Sequence, residues 1–370
     1  MRGNAPRVEI VSTRQISRRQ FVGWAGAAVA TAAGLRAARA AAGTGGTLNL
    51  YTWPNYYARA NLDAFKKQTG IGLNMSTLES NDSLFAKLNS PAGANYDIVI
   101  PSQYWVGIEA DRNLLLPLDK DRVPLQHVDK GLLAKMPPPV NDYAVPKDYG
   151  TIGVIWDPAA VGGQIKTWQD YLDAGAKPGV SGRVELTDVP DETLGIALWA
   201  SGKSFVTKNR ADLQRAAETM KEFAKNVKAF NEFDVDGLAD GSVPLAVVSQ
   251  GTARLAMLRN KKLKFVIPMP KSKLWVDMYA IPSKARNVDQ AYTFIDFMLQ
   301  PQRQLRDVAY IGYPTSLPGL ARKLPANVPL RNVIFIKPAD LARLEPYVVQ
   351  PTVQGYVSQL YTEIKAAAGG

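Results

Sequence analysis

The chain has 370 residues, 46% of them hydrophobic and 21% charged, with no Cys and a single His. This composition excludes wholesale disorder. The missing Cys excludes disulfides, a thiol nucleophile, a thiolate zinc site and a lipid-modified N-terminal cysteine, and the lone His127 excludes a multi-histidine metal cluster.

The formal charge of +11 would suit an anionic partner such as nucleic acid, but much of it is local. Residues 1–40 carry seven Arg against one acid, Glu9, which leaves the rest of the chain at about +5 with no clustered basic stripe for nucleic acid. The segment has an export layout. Ser17-Arg18-Arg19-Gln20-Phe21 precedes an uncharged Ala/Gly-rich run from Phe21 to Leu35, then small residues in A-x-A spacing up to Ala42. This is the pattern of a signal peptide (residues 1–40), with paired arginines resembling the twin-arginine route. The run is 15 residues, short of the roughly 20 needed to span a bilayer. Cleavage is expected after Ala40 or Ala42. With no Cys to lipidate, the mature protein is expected to be soluble in a Gram-negative periplasm.

Beyond that point short β-rich runs alternate with helical ones. Thr47–Trp53 reads as a strand, Arg59–Gln68 as a helix stopped by Gly70, and Ile71–Thr77 as a second strand. Asp82–Asn89 reads as a helix and Tyr96–Pro101 as a buried strand. Later strands are expected at Thr151–Trp156, Arg183–Leu186, Val243–Val248, Leu263–Ile267 and Met278–Ile281. The clearest helix is Ala211–Phe230, where Leu213, Ala217, Met220, Ala224, Val227 and Phe230 recur at i+3/i+4 steps as a core-packing stripe. Asp289–Leu299 and Val353–Ala366 complete the helices. The alternation predicts an α/β fold of mostly parallel sheets, with ligands at the carboxyl ends of the strands.

Several motifs fail on inspection. Gly202-Lys203-Ser204 lacks the phosphate-loop Gly at position 197, which is Ala, and reads as a helix end with a Gly stop. Glu232–Gly237 hints at a calcium loop, but its twelfth position is Val243. No G-x-S-x-G occurs, and His127 lies in a polar loop that reads as exposed. No catalytic group, metal ligand set or cofactor motif is assigned.

Aromatic residues instead gather at or just after strand ends: Trp53 and Tyr56, then Tyr104 and Trp105, then Trp275 and Tyr313. Each alone fits core packing. Their shared position marks a cleft, because that is where α/β clefts open.

The order of these segments resembles the periplasmic spermidine/putrescine (polyamine)-binding proteins of ABC transporters. The resemblance is carried by Leu50–Tyr56, Phe65–Gly70, Glu79-Ser80-Asn81, Tyr96–Ser102, Leu186-Thr187-Asp188 with Glu192, Trp275–Pro282 and Ile311–Thr315, and runs from about Thr47 to the C-terminus. It implies a type II periplasmic binding protein fold, with lobe 1 from 43–149 and 277–325, lobe 2 from 150–276 and 326–370, and a ligand cleft between them. It also implies a monomer that delivers a small-molecule amine to an inner-membrane permease, without enzyme activity. Trp53, Tyr56, Tyr104, Trp275 and Tyr313 become the walls, and Glu192 and Asp277 the carboxylates. Ser102 is a weaker candidate. The chemistry suits a polyamine, whose methylenes lie between aromatic faces. Each ammonium gains about 0.5–2 kcal/mol per cation–π contact and needs an anionic partner when desolvated. Taken singly, Glu192 also fits a first-turn acid serving its own helix, and Asp277 a turn residue.

This chain also departs from the family pattern. Asn55 stands where many relatives carry an acid, and Val189 follows Asp188 where the spermidine type has a second acid. Ser249-Gln250 replaces an aromatic, and Tyr347 falls near the family's C-terminal Gln. A diamine such as putrescine, or another cationic amine, therefore fits better than spermidine. Two other readings stay open: the same fold binding an amino-acid derivative, an anion or a metal, and an exported α/β enzyme.

Overall fold

The structure is a computed structural model that describes residues 45–368 apart from Asn55 and Glu232. The signal-peptide segment and the Asn55 assignment lie outside the described residues. Among the described residues ten strands form one mixed sheet: β1 Thr47–Thr52, β2 Gly72–Thr77, β3 Ile98–Val99, β4 Ala144–Trp156, β5 Val184–Leu186, β6 Val227–Phe230, β7 Leu245–Ser249, β8 Lys264–Val266, β9 Ser272–Ala280 and β10 Leu344–Pro346. Their order is β2-β1-β3-β9-β4-β7-β5-β6, with β10 added to β9 and β8 to β4.

Two parallel groups, β2-β1-β3 and β7-β5-β6, flank the centre. The two long strands between them run antiparallel: β9 against β3 and β4, and β4 against β7 and β8. The parallel pattern thus holds on either side, and β4 and β9 add the antiparallel crossing. Almost every residue of β4 is buried, as a strand covered on both faces requires. It pairs with β9 from Ala144 to Thr151, then with β7 from Ile152 to Trp156.

The helices that flank the sheet and carry site residues are α1 Arg59–Thr69, α2 Asn81–Leu88, α3 Gln103–Asp111, α4 Pro190–Ala200, α5 Arg210–Ala224, α6 Gln250–Arg259, α7 Val288–Met298, α8 Pro301–Ile311 and α9 Pro351–Ala368. Gly70 ends α1 in the left-handed region at φ 74°, its N–H returning to Lys66 O at 2.9 Å, as a helix-stop glycine does. Gly202 plays the same part after α4, again at φ 74°.

The long helix expected over Ala211–Phe230 is two elements. Asn209 caps α5, its side chain accepting from Ala211 N and Asp212 N. Leu213, Ala217, Met220 and Ala224 are buried on one face, as the stripe predicts. The chain leaves the helix after Ala224, and Val227–Phe230 becomes β6, parallel to β5. A β-branched residue and an aromatic bordering an open sheet edge outweigh a continued helical period. His127 is exposed in a short 3₁₀ turn, Leu125–His127. Among the described residues no helix is long and apolar enough to cross a membrane.

Candidate functional site

Parallel pairing makes β1, β2 and β3 end on the same side of the sheet. The segments leaving those ends carry Trp53 and Tyr56, then Asn81, then Ser102 and Tyr104. In the other parallel group, β5 ends before Thr187 and Glu192, and β7 ends at Ser249. Between the groups lies β9, whose alternation places Lys273, Trp275 and Asp277 on one face. The cross-strand partners of Asp277 and Trp275 on β4 are Asp148 and Gly150.

Asp277 is buried and bound from two directions. Ser102 Oγ donates to its Oδ1 at 2.7 Å, and the Tyr56 hydroxyl contacts its Oδ2. The same hydroxyl lies 2.6 Å from Asp148 Oδ1. A phenol has one hydrogen to give, so the two carboxyls compete for it. Burial, and then the charge of Asp148, push Asp277 up to about 7. Lys147 completes this end, with Nζ 2.6 Å from Asp148 Oδ2 and 3.8 Å from the centre of the Tyr56 ring. Asp307 on α8 is also buried here. Its Oδ1 accepts from Ala58 N at 2.8 Å and Asn61 Nδ2 at 2.7 Å. Burial pushes it up to about 6, opposed by the positive charge of Lys147. Lys147 thus pairs directly with Asp148, and among the described residues Asp277 and Asp307 have no ion-pair partner.

The other end is built on Glu192, in the first turn of α4. It is only 3% exposed, which the role of a solvated first-turn acid does not require. Its Oε2 accepts from Thr187 Oγ1 at 2.7 Å and its Oε1 from Lys273 Nζ at 2.5 Å. The Lys273 ammonium also lies 5.4 Å from the Tyr104 ring centre and 5.5 Å from that of Tyr347. Those two rings meet edge to face at 4.7 Å. Asn81 joins the two ends, its amide donating to both Ser102 Oγ and Tyr104 OH at 3.1 Å.

A third group stands beside them. Trp275 and Tyr313 meet edge to face at 4.8 Å, and Ser249 Oγ lies 3.1 Å from Tyr313 OH. The Trp275 ring lies directly over Gly150, where an added Cβ would come within 2.2 Å of it. Trp53 is half-buried against the packing on both faces of the first parallel group, and its indole N–H meets no acceptor among the described residues. Gln250 is fully buried with both ends of its amide engaged: Oε1 accepts from Thr151 N at 3.2 Å and Nε2 donates to Ile334 O at 2.8 Å.

The structure therefore brings Tyr56, Ser102 and Asp277 into one hydrogen-bonded group, Tyr104, Tyr347 and Glu192 into a second, and Trp275, Tyr313 and Ser249 into a third. The residues that sequence reasoning missed are Lys147, Asp148, Lys273, Asn81 and Asp307. A signal for Lys273 was present, because it precedes Trp275 and Asp277 at strand spacing.

Residues 60–329 match the family described as bacterial extracellular solute-binding protein. The chain belongs to that family. This solute-binding protein is 32% identical over 336 residues to spermidine/putrescine-binding periplasmic protein 1 of Haemophilus influenzae, covering 89% of this chain and 92% of that one. It is 34% identical over 303 residues to the spermidine/putrescine-binding periplasmic protein of Escherichia coli K12, covering 80% and 84%. Among solved structures, it resembles the spermidine/putrescine ABC transporter substrate-binding protein PotD of Streptococcus pneumoniae with a TM-score of 0.77 and 27% identity, over 88% of this chain and all of that one. The solute-binding protein thus has the α/β periplasmic binding protein fold, and these relatives are binding proteins rather than enzymes.

Proposed function

We propose that this chain is the substrate-binding component of an ABC importer and captures an organic amine of about putrescine size. It delivers that amine to an inner-membrane permease. The reading places the ligand between two lobes, 43–149 with 277–325 and 150–276 with 326–370. Trp53, Tyr56, Tyr104, Trp275 and Tyr313 supply apolar faces, and Asp277 is the ammonium anchor. The observation that carries it is the buried acid at one end: beside the Lys147–Asp148 pair, Asp277 and Asp307 are buried with no ion-pair partner among the described residues. A desolvated anionic cluster beside aromatic faces calls for a cation. Support also comes from relatives whose names state spermidine and putrescine binding. Exported protein would work as a periplasmic monomer.

Calorimetry with putrescine, spermidine, thiamine and a phosphonate tests this. A linear aliphatic amine should bind and the phosphonate should not. Asp277→Asn should weaken amine binding about ten- to a hundredfold, the worth of one charge-assisted hydrogen bond. An ammonium favours ionised Asp277, so affinity should fall as pH drops below about 7, by up to about tenfold per unit. Phosphonate binding without amine binding would overturn the proposal.

A further inference from the structure

We propose that the site selects an amine with one ammonium and a far end that is not cationic, because Lys273 already occupies the second cation position. This inference rests on the amine reading above and narrows it.

A buried ammonium needs an anion and is further stabilised by aromatic faces. Lys273 has both. Its Nζ lies 2.5 Å from Glu192 Oε1, the two side chains only 6% and 4% exposed, and it faces the rings of Tyr104 and Tyr347 at 5.4 and 5.5 Å. The other oxygen of Glu192 is held by Thr187. A second ligand ammonium at this end would have to displace Lys273 or sit beside it as a like charge. Displacement breaks a buried ion pair, and juxtaposition places two cations in one desolvated box. Asp191 stands in the same first turn of α4; burial raises its carboxyl and the positive charge of Lys273 opposes that, so the lysine already serves both acids of this turn.

The opposite end differs in kind. Lys147 pairs with Asp148, while among the described residues Asp277 and Asp307 have no ion-pair partner, so an added ammonium there meets a carboxyl not already paired with a cation. The site is thus polarised along β9, with the Asp277 carboxyl at one end and the Lys273 ammonium at the other. A diamine matches one end and opposes the other.

The test uses the full chain and two probes of equal length, 1,4-diaminobutane and 4-aminobutan-1-ol, which differ only at the far end. Calorimetry should give the amino alcohol at least a tenfold tighter Kd. Lys273→Met, which keeps the length and removes the charge, should shift the ratio of diamine to amino alcohol affinity at least tenfold toward the diamine. A diamine that binds wild-type protein as tightly as the amino alcohol overturns the inference and leaves the amine reading standing. If neither probe binds, the amine reading falls and this inference with it. Should Lys273→Met fail to fold, the wild-type ranking alone decides.

Discussion

Glu109 on α3 is fully buried, and neither of its carboxyl oxygens meets a donor among the described residues. Burial alone pushes it up to about 8. The folded chain therefore holds a proton that the unfolded chain has released. The associated stability is complete below the ordinary carboxyl range and is lost as pH rises toward about 8. Glu109→Gln mimics the protonated form. The variant's melting temperature should equal wild type near pH 4 and exceed it increasingly up to pH 8. A constant difference across that range would refute the assignment. Glu192 and Asp277 make the contrast, since every oxygen of theirs has a partner. Both are legible in the sequence as candidate carboxylates, whereas the lysine facing Glu192 is marked only by its strand spacing to Trp275 and Asp277. Lysines are rarely buried, so residue type alone places Lys273 and Lys147 on the surface. Only the folded neighbourhood, with its matched acids and aromatic faces, reverses that.

At the scale of elements, β1 to β3 are readable because their apolar runs are bounded by turn residues. β4 is only half readable. Pro146, Lys147 and Asp148 argue against a central strand, so the expected element begins at Thr151 rather than Ala144. The structure accommodates them with a register shift between Pro146 and Asp148 and by pairing the two charges with each other. Further along β4, Gly150 lets the Trp275 ring lie on the backbone. Gly150→Ala should force that ring aside, at a cost of about 1–3 kcal/mol of overpacking strain. Urea denaturation should show the loss, and tryptophan emission should shift as Trp275 moves. Amine affinity should fall in the same variant. Unchanged emission and stability would mean that the ring does not rest where it is placed.

For the whole molecule, the charge of +11 sorts into a basic first segment and a mildly basic remainder. If residues 1–40 act as a leader, the exported protein should have the mass of a chain beginning at Ala41 or Gly43, and an intact Met1 would refute it. The site is acid-rich although the chain is basic. Net charge therefore describes the outer surface, and the buried groups set the local field. The central position of β9 has a consequence for how the chain is made. β3, β4 and β10 all take β9 as a partner, and β9 spans Ser272–Ala280, about three-quarters of the way along the chain. While a ribosome is still adding residues before that point, β3 has no second neighbour and the first half of β4 has none on the β9 side. The middle of the sheet assembles only near the end of synthesis. Until then the early parallel strands keep an open edge, which favours holding the nascent chain apart from its copies.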